Sequence, residues 1–174
     1  MISKNFEKLG LFIYYDFLSL DEESNILSHI EPTIVKNRKG SDRNSVRRYG
    51  SNAPYKNQMV SETIPLYLDL VCDRLVAQNL LEQKPDSVSI NEYCVGNGIA
   101  PHIDSINSGK TITILSLMSD ATMVFSNEFQ QFNMKIPRLS ITQMKDDIRY
   151  KWKHSILPVK EKRYSIVFRN GNDI

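Results

Sequence analysis

Few residues in this sequence could cross-link it. Two cysteines, Cys72 and Cys94, among 174 residues exclude a disulfide framework and a cysteine-based zinc site. Both are read as reduced thiols of a cytosolic or nuclear protein. No apolar run approaches the ~20 residues of a membrane span. The N-terminus MISKNFEKLGLF lacks the roughly 7–15-residue apolar stretch and small-residue cleavage site of a secretory signal. A soluble intracellular protein with no membrane partner is expected. Neither sign of charge dominates: 22 Lys and Arg stand against 20 Asp and Glu, so net charge names no partner. Internal repeats, low-complexity tracts and linkers are missing too, which favours one domain over residues 1–174 and a monomer. Histidine is scarce, with only three, so each can be weighed separately.

What is present divides near residue 86. Before it, Leu11–Phe17 is rich in apolar and aromatic residues and reads as a strand. Ser19 and Glu22 form a capping box for a helix over 20–30, which Pro32 ends. Residues 36–57 are basic at their start, with Lys36, Arg38, Lys39, Arg43, Arg47 and Arg48 against only Asp42. Gly40, Gly50 and Pro54 make this segment a loop with short strands at most. A second helix is predicted from Ser61 or Glu62, with Pro65 in its first turn. Ile64, Leu68, Val71, Leu75 and Leu80 form its apolar stripe. After residue 86 short runs read as strands: 87–93, 111–117, 122–125, 131–136, 138–142 and 164–169. Turn residues such as Gly96-Asn97-Gly98 separate them, the pattern of a sandwich or barrel. The fold class is therefore mainly β (α+β): N-terminal helices and a lid over about 1–86 packed on a compact β core over about 87–170.

The chemistry centres on His102-Ile103-Asp104. Residues two apart in an extended segment share a face, so one imidazole and one carboxylate can meet a single ion. His154, 52 positions on, is available as a third ligand. Two histidines and one carboxylate make the facial triad of non-heme Fe(II) oxygenases, which leaves metal positions open. His29 lies in the first helix without a partner at useful spacing and is read as a surface or packing residue. Arg163, Ser165, Val167 and Arg169 share one face of the last strand. Two arginines there suit a buried dicarboxylate, because a guanidinium offers a bidentate fork. Asn91 and Tyr93 share a face of the strand entering the Gly-rich turn and can donate hydrogen bonds to the same ligand.

Three stretches carry a family resemblance: Ile90 to Asp104, Arg149 to Ile156, and Arg163 to Arg169. In this order and spacing, over roughly residues 45–170, the sequence resembles the AlkB family of dioxygenases. The resemblance implies a double-stranded β-helix (jelly-roll) core. It implies an Fe(II)- and 2-oxoglutarate-dependent dioxygenase that consumes O2, with His102, Asp104 and His154 as the catalytic metal ligands. It places Arg163 on the distal carboxylate of 2-oxoglutarate, assisted by Tyr93, and Asn91 and Arg169 near the end that chelates iron. Ser165 stands where some relatives carry Asn, and Val167 where some carry Thr. Both imidazoles must be neutral to ligate, so activity is expected to fall at acidic pH.

In this family the basic segment before the core resembles a nucleotide-recognition lid. Arginines attract phosphates and an exposed tyrosine can stack on a single-stranded or flipped base. Arg47, Arg48, Tyr49 and Tyr55 are the substrate-binding candidates. The expected function is oxidative demethylation of alkylated DNA or RNA, as in repair or RNA modification. Ile106 and Asn107 occupy the stretch where the bacterial repair enzyme carries an acidic residue facing the base. The sequence thus looks closer to members acting on modified tRNA wobble uridine, in a minimal stand-alone form. The alternatives are such a hydroxylase, a protein-directed oxygenase of the same fold, or a non-catalytic nucleic-acid-binding module.

Overall fold

The computed structural model describes residues 4–30, 45–51 and 62–171. Helix α1 (Lys4–Glu7) leads into strand β1 (Leu11–Tyr14) and helix α2 (Leu20–Ile30). The capping box expected for α2 is formed. Glu22 N–H donates to Ser19 Oγ at 3.2 Å, and Ser19 N–H donates to Glu22 Oε2 at 2.8 Å. Strand β2 (Ser45–Gly50) then precedes helix α3 (Leu66–Ala77). That helix begins later than the sequence suggests. Pro65 is its N-cap with extended backbone (ψ 152°), and the ring disfavours helical geometry in the residue before it.

The remaining strands are β3 (Ser87–Tyr93), β4 (Ile99–His102), β5 (Ile112–Leu117), β6 (Ala121–Ser126), β7 (Gln131–Ile136), β8 (Ile141–Met144), β9 (Lys153–Ile156) and β10 (Arg163–Arg169). A short helix α4 (Asp146–Tyr150) precedes β9. The strand expected over 138–142 is displaced to β8 because Leu139 takes a left-handed turn conformation (φ 64°). Strands β4 and β9 lie outside the runs that read as strands in the sequence.

Among the described residues the strand pairings are antiparallel and form two sheets, ordered β1-β8-β5-β10-β3-β2 and β4-β9-β6-β7. The large sheet takes both edge strands, β1 and β2, from before residue 86. The β core is therefore not confined to 87–170.

Two apolar clusters follow from strand alternation. Between the sheets, Ile112, Ile114, Tyr93 and Val167 meet Met123, Phe125, Ile136 and Ile156. On the other face of the large sheet, Val88, Ile90, Leu115, Ile166 and Phe168 pack under Leu68, Leu75 and Ile26 of the helices. Leu68 and Leu75 are fully buried, each worth about 1.5–3 kcal/mol of transfer free energy. Strand β10, between β5 and β3, is buried along its whole length. Its odd-numbered residues therefore point into the space between the sheets. Buried Glu23 of α2 fastens the helical layer, accepting from the Met118 N–H at 2.7 Å and pairing with Arg138.

Candidate active site

The register of β4 on β9 sets His102 directly opposite His154, with ring centroids 4.3 Å apart. Gly98 permits this pairing: a Cβ there would sit 2.3 Å from the Ile156 carbonyl oxygen. Asp104 follows two residues past His102. Ligand-capable atoms of His102, Asp104 and His154 lie within 4.8 Å of one another. Behind His154 stands an aromatic wall, with Phe125 at 6.5 Å and Phe132 and Trp152 beyond it.

Hydrogen bonding orients these groups. His102 Nδ1 lies 2.9 Å from the Ala100 carbonyl, which only accepts, so Nδ1 carries the proton and Nε2 keeps its lone pair. Asp104 Oδ1 accepts from Arg169 Nη2 at 3.1 Å, and Oδ2 lies 3.4 Å from His154 Nε2. Burial alone pushes the Asp104 carboxyl up, but the His154 contact and the Arg169 charge outweigh it and hold it well below the usual carboxylate range. Burial, then repulsion from His154, push His102 down. The set is one carboxylate and two imidazoles, the donor types of a ferrous facial triad.

A cavity of about 260 Å³ opens beside the triad, and Asn91, Tyr93, Arg163, Ser165 and Arg169 all line it. Its apolar walls include Ile112, Ile114, Met123 and Val167. Arg163 is 1% exposed. Burial lowers its pKa, yet an arginine stays charged. Nη2 donates to Ser116 Oγ at 2.9 Å, and the guanidinium lies 5.0 Å from the Tyr93 ring centroid. Its Nε and Nη1 have no hydrogen-bond partner among the described residues. A buried cation with two idle nitrogens is costly, and a carboxylate end of a ligand would answer its charge. The residues present therefore fit iron(II) and a dicarboxylate co-substrate. Asn91 Nδ2 donates to Ser165 Oγ at 3.2 Å, which keeps that pair facing the cavity.

The substrate candidates fare differently. Tyr49 is a correction: it is 6% exposed and packs in the helix-side cluster, so its ring is not free to stack on a base. Paired with Val88 in the register of β2 on β3, it falls on the helix-facing side of the large sheet. Arg47 pairs with Glu62, and Arg48 is half-buried on the same strand. Tyr55 lies outside the described residues. His29 is exposed and stacks on Tyr67 at 5.0 Å, as expected of a packing residue. Sequence reasoning missed Ser116, Ser89 and Arg149. Ser89 Oγ accepts from Arg169 Nη1 at 3.3 Å. Serines on strands and an arginine bonded to main-chain carbonyls leave no spacing signal.

Comparisons with known proteins agree with this geometry. The family model of the 2OG-Fe(II) oxygenase superfamily matches residues 23–169. Uncharacterized protein L905 of Acanthamoeba polyphaga mimivirus is 32% identical over 92% of this chain and 84% of its own. The tRNA (carboxymethyluridine(34)-5-O)-methyltransferase of Xenopus tropicalis is 31% identical over 87% of this chain, which spans only 26% of that protein. The DNA N6-methyl adenine demethylase of Caenorhabditis elegans is 26% identical over 93% of this chain and 60% of its own. Among solved structures, OsALKBH1 superposes with a TM-score of 0.67 at 15% identity, covering 92% of this chain and 98% of that one. A Pseudomonas putida prolyl-4-hydroxylase does so at 0.64 and 12% identity, covering 96% of each chain. These two likenesses carry the jelly-roll fold alone. The chain belongs to the 2OG-Fe(II) oxygenase superfamily, with AlkB-like relatives, and is an iron(II)- and 2-oxoglutarate-dependent oxygenase that uses O2.

Proposed function

We propose that this oxygenase oxidises alkyl groups on nucleic-acid bases, removing them from alkylated DNA or RNA. The observation that carries the site is the shared cavity: a His-Asp-His cluster and a buried arginine with two idle nitrogens line one slot. His102, Asp104 and His154 would hold the iron, and Arg163 would take the distal carboxylate of 2-oxoglutarate. Iron held there would, with 2-oxoglutarate and O2, supply the oxidation of a substrate C–H bond at the cost of 2-oxoglutarate, which becomes succinate and CO2. The Ala100 carbonyl presents His102 through Nε2, and Arg169 keeps the Asp104 carboxylate aimed. Tyr93, Asn91 and Ser165 position the co-substrate, while Ile112, Ile114, Met123 and Val167 exclude water from it.

The nucleic-acid reading is supported by the name of the C. elegans relative, matched over 93% of this chain, and by Arg47 and Arg48 on β2. One observation favours a second reading, action on tRNA: the match at 31% identity to a tRNA-modifying protein. On either reading residues 1–174 act as one monomeric unit in the cytosol or nucleus, consistent with two free thiols. No helix among the described residues is long and apolar enough to cross a membrane.

The test is mass spectrometry of methylated single-stranded DNA, RNA and tRNA after incubation with iron(II), 2-oxoglutarate and ascorbate. The expected result is loss of a methylated nucleoside with matching succinate, abolished by Asp104→Ala. A hydroxylated tRNA uridine instead selects the second reading. Succinate with no nucleoside changed in any substrate contradicts both.

A further inference from the structure

The stretch from Arg149 to Ile156 supplies His154, but its first residue has no part in the reading above. Arg149 lies in α4 and is 2% exposed. Its guanidinium donates to three main-chain carbonyls: Nη1 to Asp104 at 3.0 Å, Nη2 to Ser105 at 2.6 Å and Nε to Gly109 at 3.3 Å. All three acceptors lie on the segment that leaves the Asp104 ligand. None of its hydrogen bonds among the described residues goes to a carboxylate. Packing does not explain the choice, because an apolar side chain of this size fills the volume without desolvating a charge.

The same segment is held from its far end. Gly109 has φ +85°, and a Cβ there would sit 2.2 Å from the Asn170 carbonyl oxygen. Within the segment, Ser105 caps a 3₁₀ turn over Ile106–Ser108 and accepts from the Asn107 N–H at 3.3 Å. Arg169, next to Asn170, grips the Asp104 carboxylate. Arg149 thus holds the main chain of a residue whose side chain Arg169 holds. It also stands five positions before His154, at the start of the chain segment that delivers the third ligand. One side chain ties the two arms of the triad together.

We propose that Arg149 is a positioning residue for the metal ligands: by clamping the carbonyls of Asp104, Ser105 and Gly109 it sets how Asp104 meets the His102–His154 pair. The inference rests on the metal-site reading above. Cobalt(II) alone is the probe, since its visible spectrum reports ligand geometry and needs no turnover. Arg149→Met, folded by circular dichroism, is expected to bind cobalt(II) roughly 10–100-fold more weakly and with an altered visible spectrum. Arg149→Lys, which keeps the charge but not the fork, should recover part of that affinity. Wild-type affinity and an unchanged spectrum in Arg149→Met overturn the proposal, whatever its melting temperature. If Arg149→Met fails to fold, the same unchanged pair of readings in Arg149→Lys overturns it. His102→Ala separates the two claims: cobalt(II) binding at wild-type strength there contradicts the metal site itself.

Discussion

Among the described residues Arg163 is met by Ser116 Oγ and by Tyr93, with no carboxylate against it. A charge-assisted hydrogen bond is worth about 1.5–3 kcal/mol, or roughly 10–150-fold in affinity. Arg163→Met should therefore raise the 2-oxoglutarate concentration for half-maximal succinate formation by about that factor, with the fold retained. An unchanged requirement removes Arg163 from its role. The two thiols make a second prediction. Burial, reinforced by Asp69, pushes Cys72 up from its ordinary 9.0 to about 12, whereas Cys94 is exposed. The thiolate is the reactive form, so near pH 8 a thiol-directed disulfide reagent should titrate Cys94 promptly and Cys72 only on unfolding. The sign follows for stability. A thiol whose folded pKa is raised contributes fully below about 9 and progressively less as pH climbs toward about 12. Equal, rapid labelling of both thiols contradicts the burial.

At the scale of elements, the pairing of β4 with β9 matters most, because it sets the two histidines opposite each other. Gly98→Ala should push β4 off the Ile156 carbonyl and cost about 1–3 kcal/mol, measured by urea unfolding. Unchanged stability shows that the strands have room there. These elements were also the least legible. Ile99-Ala100-Pro101-His102 and Lys153-His154-Ser155-Ile156 carry no apolar alternation, since they form a site rather than a core. The runs 87–93 and 131–136 match strands β3 and β7 in their bounds; β7 alternates between exposed and covered side chains, while β3 is bounded by Pro85-Asp86 and the Gly-rich turn. Helix α2 was equally legible, its capping box being local chemistry. Strand β2 was hidden in a basic, glycine-punctuated segment, and only pairing with β3 makes it a strand.

At the scale of the molecule, the large sheet works as a partition. Tyr164, Ile166 and Phe168 of β10 join the helix-side cluster, while Arg163, Ser165, Val167 and Arg169 line the cavity between the sheets. That period of two was readable from the sequence, as was the convergence of His102, Asp104 and His154, because scarce histidines and paired arginines leave few combinations. The substrate side was not readable. A tyrosine beside arginines looks the same whether it faces a base or a core, and Tyr49 faces the core. The central claim, that triad and arginine serve one cavity, is tested by anaerobic calorimetric titration with iron(II) and then 2-oxoglutarate. Wild type should bind one iron per chain and then 2-oxoglutarate, His102→Ala should lose the iron, and Arg163→Met should keep the iron and lose most 2-oxoglutarate affinity. Undiminished iron binding by His102→Ala, or wild-type 2-oxoglutarate affinity in Arg163→Met, contradicts the account.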